Sequence, residues 1–260
     1  MLKVIIPGKD ESYLAGAVNR FKAAKLPVAL TGAGISVESG IPDFRSSGGL
    51  WTQFSPDEYA TLEVFLRNPE KAWQLYRALG KTLEGKKPNT AHDVLAALER
   101  RGMLHGVVTQ NVDMLHQQAG SKHVLEIHGD HQHLQCIRCG ELEQVTPEHY
   151  LSDVIPSCRQ CDTPLKPNVV LFGESVRRLD DIHALLVHCD LLLVIGTSAQ
   201  VYPAAGLPLI VKQNNGFIFE FNLEETALSR GQSLDFMQSD YLFKGSAGQS
   251  LSRFAETVLY

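Results

Sequence analysis

The chain carries no excess of positive charge. Its 24 lysines and arginines stand against 29 acidic residues over 260 positions, a formal net charge of −5. With no run of Lys or Arg, that balance argues against a non-specific nucleic-acid binder and against a protein drawn to an anionic membrane surface. An apolar run of membrane-spanning length is also missing. The longest, "DLLLVIGTSA" from Asp190, is broken by Gly196 and reads as a buried strand. The apolar start "MLKVIIPGKDES" is too short for a secretory signal and stops at Pro7-Gly8, so a cytoplasmic location is expected. There is no internal repeat and no low-complexity tract. Cysteine is scarce as well, and five in a cytosolic chain do not make a disulfide framework. Cys189 stands alone at the start of an apolar strand and is expected as a small buried hydrophobe.

The remaining composition is that of a globular protein. A hydrophobic fraction of 44% and a charged fraction of 20% suffice to bury a full core at this length. Residues 10–24 have Leu14, Val18 and Phe21 at helical spacing, and "LPVALTGAG" then reads as a strand ending in a tight turn. "ISVESG" is expected to open the next helix. From Pro42 to Pro88 the chain is rich in aromatic and charged residues, with helices expected over Pro56–Leu66 and Glu70–Leu83. "NTAHDVLAALERR" is a strong helix with a capping Asn or Thr in front and basic residues at its end. Short strands follow at "HGVVTQN", "HVLEIHG", "NVVLFGE", "DLLLVIGTS" and "GFIFEFN", with the helix "DDIHALLVH" and a helical segment after Pro203 between them. Helices alternating with short apolar strands predict an α/β fold with a mostly parallel sheet covered on both faces.

Four of these strands end in polar or glycine-rich turns: Gly32-Ala33-Gly34, Thr109–Asp113, Gly196-Thr197-Ser198 and Asn222. In an open parallel sheet such ends share one edge, where ligands bind at a topological switch point. Gly32 and Gly34 would let backbone approach a pyrophosphate, and a helix beginning near Ile35 would aim N–H groups at it. The dinucleotide fingerprint is not complete, because Val37 stands where its third glycine belongs. Taken alone, the two glycines fit a plain strand-to-helix turn equally well. Asn222 is either a turn residue or a substitute for the missing ribose-binding acid.

The motifs "GAGISVESGIPDFR" (Gly32–Arg45), "TQNVDMLH" (Thr109–His116), "HG" (His128–Gly129), "KPNVVLFGE" (Lys166–Glu174) and "GTS" (Gly196–Ser198) resemble those of the sirtuin family. They stand in that family's order over nearly the whole chain, from about Ala17 onward. The resemblance implies an NAD-dependent protein-lysine deacetylase with a Rossmann-like domain and a small domain made of two inserts. The expected division is 1–42, 89–130 and 167–260 for the first, 43–88 for a helical module with the cofactor loop, and 131–166 for a zinc module. NAD and acyl-lysine would enter the cleft from opposite sides. The acyl oxygen would attack the ribose as nicotinamide leaves, and a histidine would act as base on a ribose hydroxyl. The products would be free lysine, nicotinamide and O-acyl-ADP-ribose. The short termini suggest a minimal, prokaryotic-type enzyme.

Residue by residue, the resemblance gives His128 the base role, with Asn111 and Asp113 as catalytic partners. An imidazole titrating near neutrality suits that role. Gln110, Asn111 and Asp113 match the nicotinamide and ribose side. Gly32, Ala33, Gly34, Ile35, Asp43, Phe44 and Arg45 match the pocket and loop that close over NAD. Gly196, Thr197 and Ser198 match the phosphate and adenosine side, and Asn222 the adenosine ribose. Val170, Phe172, Gly173 and Glu174 match the segment that pairs with substrate backbone as an added strand. Sirtuins that prefer succinyl groups carry a Tyr and an Arg three residues apart. Here Tyr76 matches but Leu79 replaces the Arg, so neutral acyl groups are expected, acetyl first.

Cys136 and Cys139, then Cys158 and Cys161 after 18 further residues, form a four-thiolate zinc signature. With four thiolates no position remains for water, so a structural zinc is expected in a module lacking its own core. Two pairs at ribbon spacing argue against a redox CxxC, and acidic residues around Arg138 and Arg159 argue against a nucleic-acid ribbon. His131 and His133 are expected as linker or surface residues on one face. Acetylated lysine peptides or proteins are the expected partners, with no membrane, no specific nucleic acid and a monomeric state. The rival functions are an ADP-ribosyltransferase or NAD hydrolase using the same pocket, and a catalytically silent NAD-sensing module.

Overall fold

The computed structural model describes residues 1–43, 48–232 and 238–259; Phe44 and Arg45 lie outside the described residues. Among the described residues ten strands are formed: β1 (Lys3–Ile5), β2 (Pro27–Thr31), β3 (Val107–Thr109), β4 (Val124–Glu126), β5 (Gly129–Cys136), β6 (Leu142–Gln144), β7 (Leu165–Val169), β8 (Leu191–Ile195), β9 (Phe217–Asn222) and β10 (Tyr241–Lys244). Seven pair in parallel as one sheet, in the order β1-β10-β9-β8-β2-β3-β4.

Successive side chains along a strand point to opposite faces, and β8 shows the result. Leu191, Leu193 and Ile195 enter a core with Phe21 of helix Leu14–Ala23, Leu95 of helix Thr90–Arg100 and Phe254 of helix Ala247–Leu259. Leu192 and Val194 enter a second core on the other face, with Ile182 of helix Leu179–Leu186 and Val211 of helix Leu207–Gln213. Every residue of β2 and β8 is buried, as a parallel sheet covered on both faces requires. The expected α/β architecture is therefore observed. β1, β10 and the last helix extend it beyond the elements read from the sequence.

β6, β5 and β7 form a separate antiparallel sheet. This corrects the reading of "NVVLFGE" as part of the parallel sheet: β7 ends at Val169 and pairs with β5. The cysteine-bearing segment shares one core with the helical insert, in which Trp73, Tyr76 and Phe65 pack with Leu134, Tyr150 and Leu165. Trp73 Nε1 donates to the Leu165 carbonyl at 2.9 Å, and Gly80 gives Tyr150 its place, since a Cβ there would lie 2.6 Å from the Tyr150 ring. The expected helix over Pro56–Leu66 is split into Pro56–Tyr59 and Leu62–Arg67. The cause is tertiary. The Ala60 carbonyl accepts from Phe172 N–H at 3.0 Å and Leu62 N–H donates to the Phe172 carbonyl at 3.0 Å, so neither group serves a continuous helix.

Several imidazoles are buried. His92 and His116 meet edge to face with centroids 4.9 Å apart. His131 is buried against Tyr150, with rings stacked at 4.4 Å, which corrects its expected surface position. A register shift between Gly129 and Leu134 breaks the alternation that put His131 and His133 on one face; His133 is half-buried and bonds Asp130 at 2.8 Å. Burial holds His131 down to about 4 and His116 down to about 3, and it lowers His92 and His128 as well. These groups bind fewer protons folded than unfolded once pH falls below about 6.5, so stability falls with pH from there. Glu126 and Glu220, raised by burial, pull the other way, but the four imidazoles outnumber them. Thermal melts should show a lower Tm at pH 5 than at pH 7. An unchanged or higher Tm at pH 5 would contradict the buried neutral histidines.

Candidate active site

The four turns read from the sequence share one edge. Thr31 pairs with both Thr109 and Ile195, and Ile195 pairs with Phe221, so β3, β2, β8 and β9 end in step. The chain runs from β2 to β3 on one side and returns as β8 on the other, which makes the β2–β8 boundary the switch point. There the two loops touch through backbone. Gly34 N–H donates to the Gly196 carbonyl at 2.8 Å, and a Cβ on Gly34 would lie 2.7 Å from Gly196 Cα. A Cβ on Gly32 would lie 2.8 Å from Thr197 Cβ. These glycines are thus needed for loop-to-loop packing before any ligand is considered. The turn continues as a 3-10 helix over Ala33–Ser39 rather than an α-helix. Its Gly34 and Ile35 N–H groups are already engaged, Ile35 with the Gly32 carbonyl.

A cleft of about 1200 Å³ opens over this edge. Gly32, Ala33, Gly34 and Asp43 line it, as do Gln110 and Asn111 from the turn after β3. Gly196, Thr197, Ser198 and Asn222 line its other side. Gln110 Nε2 donates to Thr197 Oγ1 at 3.0 Å and Asn222 Nδ2 to the Thr197 carbonyl at 2.9 Å, so Thr197 ties three turns together. Ile35 is fully buried in the main core, below the turn. Asp113 stands behind Asn111: its carboxylate accepts from Ser36 Oγ at 2.6 Å, Asn111 Nδ2 at 3.3 Å and Leu115 N–H at 3.0 Å.

His128 lines the same cleft, between β4 and β5. Its Nδ1–H donates to the Gln110 carbonyl at 3.0 Å. A carbonyl can only accept, so this bond fixes the neutral tautomer with Nε2 unprotonated. Burial lowers the imidazole below its ordinary value, while the Gln110 bond opposes the shift. The backbone can turn away at Gly129, where φ is +77° and a Cβ would collide with the Asn168 carbonyl. Val170 N–H donates to the His128 carbonyl at 2.9 Å, which sets the segment 170–174 beside the imidazole. Val170, Phe172, Gly173 and Glu174 all line the cleft, and Phe172 is 47% exposed.

The end of the cleft at the helical insert is apolar, with Trp51, Leu75, Leu79, Val112 and Val169 in its walls. Tyr76 joins them, and burial raises its phenol well above the usual range. Arg77 points elsewhere, donating to the Ser152 and Asp153 carbonyls at 2.8 Å. Sequence reading missed Trp51, Leu75 and Val112 here, and Val201 and Tyr202 at the rim, because an apolar wall leaves no local pattern. It also missed Ser36, which supports Asp113 from behind the cleft, and the buried acid Glu220, which lies outside the cleft lining. Glu220 is fully buried in β9 and accepts from Thr226 Oγ1 at 2.6 Å and Ser239 Oγ at 2.8 Å. A lone acid inside "GFIFEFN" was the available signal.

Away from the cleft, the Sγ atoms of Cys136, Cys139, Cys158 and Cys161 all lie within 4.8 Å of one another. Cys136 and Cys161 are 3.5 Å apart, Cys139 and Cys158 3.5 Å, and Cys139 and Cys161 3.8 Å. Thiolates on a tetrahedral zinc sit about 3.8 Å from one another, so these four fit that ion without rearrangement. Among the described residues no helix is long and apolar enough to cross a membrane.

Comparison with known proteins agrees with this fold. The Sir2 family profile matches residues 32–203. An NAD-dependent protein deacylase of Thermococcus sibiricus is 42% identical over 226 residues, covering 82% of this chain and 89% of its own. One of Pyrococcus abyssi is 41% identical over 243 residues, covering 91% and 94%. A solved Sir2 homologue in complex with NAD superposes with a TM-score of 0.84 at 38% identity, over 94% of this chain and 93% of that one. A Sir2 structure with a p53 peptide and NAD+ gives 0.80 at 34% identity, over 94% and 97%. A profile match spanning more than half the chain, with relatives this similar over most of their length, places the protein in the Sir2 family.

Proposed function

We propose that this protein is an NAD-dependent protein-lysine deacetylase. It moves the acyl group of an acetyl-lysine to ADP-ribose and releases nicotinamide. The observation that carries the reading is the single cleft in which His128, with an unprotonated Nε2, joins the glycine turns of the sheet edge and an apolar pocket. The co-substrate NAD supplies the ribose that receives the acyl group. The glycine turns at Gly32–Gly34 and Gly196, backbone without side chains at a switch point, suit its pyrophosphate. Similar proteins described as NAD-dependent deacylases, and one solved with NAD, support the assignment.

In this reading His128 is the general base: Nε2 takes the ribose hydroxyl proton while the Gln110 carbonyl holds the ring. Asn111 and Asp113 act with it, Asp113 anchoring Asn111 and Ser36. Gln110 and Asn111 face the nicotinamide and ribose, with Asp113 behind Asn111; Gly32, Ala33, Gly34 and Ile35 form the turn and Asp43 lines the cleft beside it, while only the family resemblance gives Phe44 and Arg45, outside the described residues, a part in closing over NAD. Thr197, Ser198 and Gly196 take the adenosine side with Asn222. Val170, Phe172, Gly173 and Glu174 pair with the peptide. Cys136, Cys139, Cys158 and Cys161 hold one structural zinc. The proposed domains are 1–42, 89–130 and 167–260 for NAD binding, 43–88 for the helical module and 131–166 for the zinc module, with β5 and β7 crossing between them. The proposed working unit is a monomer, and clustered thiols suit the reducing cytoplasm.

His128→Ala should slow deacetylation about 10²–10⁴-fold. The wild-type rate should fall on an acidic limb below about pH 6.5, because the base must be neutral and burial lowers its value. Unchanged turnover of His128→Ala would refute the base assignment. With Leu79 in the pocket and Arg77 turned away, acetyl-lysine peptides should turn over faster than succinyl-lysine ones; the reverse order would sink the neutral-acyl reading. Nicotinamide release that ignores the peptide would favour an NAD hydrolase or ADP-ribosyltransferase instead. Metal analysis should find about one zinc per chain, and chelation should lower the Tm. A metal-free protein with an unshifted Tm would remove the zinc from this account.

A further inference from the structure

Lys166 is the first residue of the "KPNVVLFGE" stretch, and its side chain is completely buried. Nothing in the proposed chemistry uses it. An ammonium is rarely buried this fully unless its hydrogen bonds are satisfied. All three of its partners lie within the next eight residues. Nζ donates to the Val169 carbonyl at 2.7 Å, to the Pro167 carbonyl at 3.4 Å and to Glu174 Oε2 at 3.1 Å. Glu174 Oε2 in turn accepts from Leu171 N–H at 2.8 Å, and Glu174 N–H donates to the Leu171 carbonyl at 3.0 Å. The ammonium is thus the centre around which residues 167–174 fold.

That turn is not free to take other shapes without cost. Val170 is bonded to the His128 carbonyl, and Phe172 to both Ala60 and Leu62. On its other side, Lys166 sits in β7 opposite Gln135, one position from the Leu165–Cys136 pair. Gln135 Oε1 accepts from Arg177 at 2.8 Å, and Arg177 is the nearby cation that disfavours the Lys166 charge. The lysine therefore joins the cysteine-bearing sheet to the cleft segment 169–174.

We infer that Lys166 is a positioning residue: its buried ammonium sets the shape of the segment that pairs with the acyl-lysine peptide. This rests on the deacetylase reading, and it makes peptide affinity, rather than NAD affinity, the quantity Lys166 controls. No atom of Lys166 needs to touch substrate. Removing the ammonium takes the Lys166 bond from the Val169 carbonyl and leaves the Glu174 carboxylate only the Leu171 N–H, with its charge unpaired, so the turn must open toward water to solvate them. The turn then loses its shape before the main sheet is affected.

The test compares wild type, Lys166→Met and Glu174→Gln in steady-state deacetylation of an acetyl-lysine peptide with NAD. Zinc content and hydrogen exchange of residues 167–174 are measured alongside. Lys166→Met should raise the peptide KM about tenfold while the NAD KM stays within about twofold, the pattern of a lost binding geometry. Exchange should quicken in 167–174 and not in β2 or β8, with zinc retained. Glu174→Gln keeps an acceptor for Leu171 N–H and should give a smaller rise in peptide KM. Because Glu174 itself pairs with the peptide in this reading, Lys166→Gln, which keeps a donor at that position, decides the question by the same readouts if Lys166→Met does not fold. An unchanged peptide KM in the folded variants would overturn the inference. So would parallel rises in both KM values, because a general loss of structure would then be the cause. If wild type shows no deacetylation, the functional reading fails, and hydrogen exchange alone decides whether Lys166 shapes the turn.

Discussion

At the β2–β8 boundary two backbones meet with no side chain between them. Gly34 N–H reaches the Gly196 carbonyl, and Cβ atoms on Gly32, Gly34 or Gly196 would overlap the facing loop. Much of the site depends on that contact. It brings Thr197 within reach of Gln110 and Asn222, so three strand ends are fixed relative to one another. Gln110 then holds His128 in one tautomer through its carbonyl. The geometry of the cleft edge is thus inherited from a steric condition between glycines.

A second set of constraints faces this edge from across the cleft. The segment after β7 bonds His128 at Val170 and the helical insert at Phe172, while β7 is part of the sheet that carries Cys136. Trp73 and Tyr150 fill the core shared by the helical insert and the cysteine-bearing segment. Four thiols at tetrahedral spacing close the far end. A metal ion there would act on the cleft only through this packing, since no cysteine lines it.

Features set by neighbours in the chain were legible before the fold was known. A capping Asn or Thr is expected before the helix Thr90–Arg100, and Asn89 is the cap, its side chain accepting from Ala91 N–H at 2.9 Å. The apolar runs of β2 and β8 announced strands buried on both faces, and the two CxxC pairs announced their own assembly. What failed did so where distant chain segments intervene. The break at Ala60–Leu62 is imposed by Phe172, over a hundred residues later. His131 looked like a surface residue in a polar run, and only the packing of Tyr150 makes it a core residue. Val201 and Tyr202 reach the cleft without any local mark, and Lys166 gives no sign in the sequence that it is buried.

The sequence alone therefore determined the α/β class, the strand ends at which a ligand could sit, and the four thiolates of the metal site. These follow from periodicity, from turn residues and from donor chemistry, which are local properties of the chain; the choice of His128 among the histidines came from the family resemblance. The tertiary structure decided which nitrogen of His128 is free, which glycines are sterically obligatory, and which polar side chains are buried. Each of those is a relation between residues far apart in sequence, and its energy comes from excluding water or from filling space between them, so it exists only once the chain has folded.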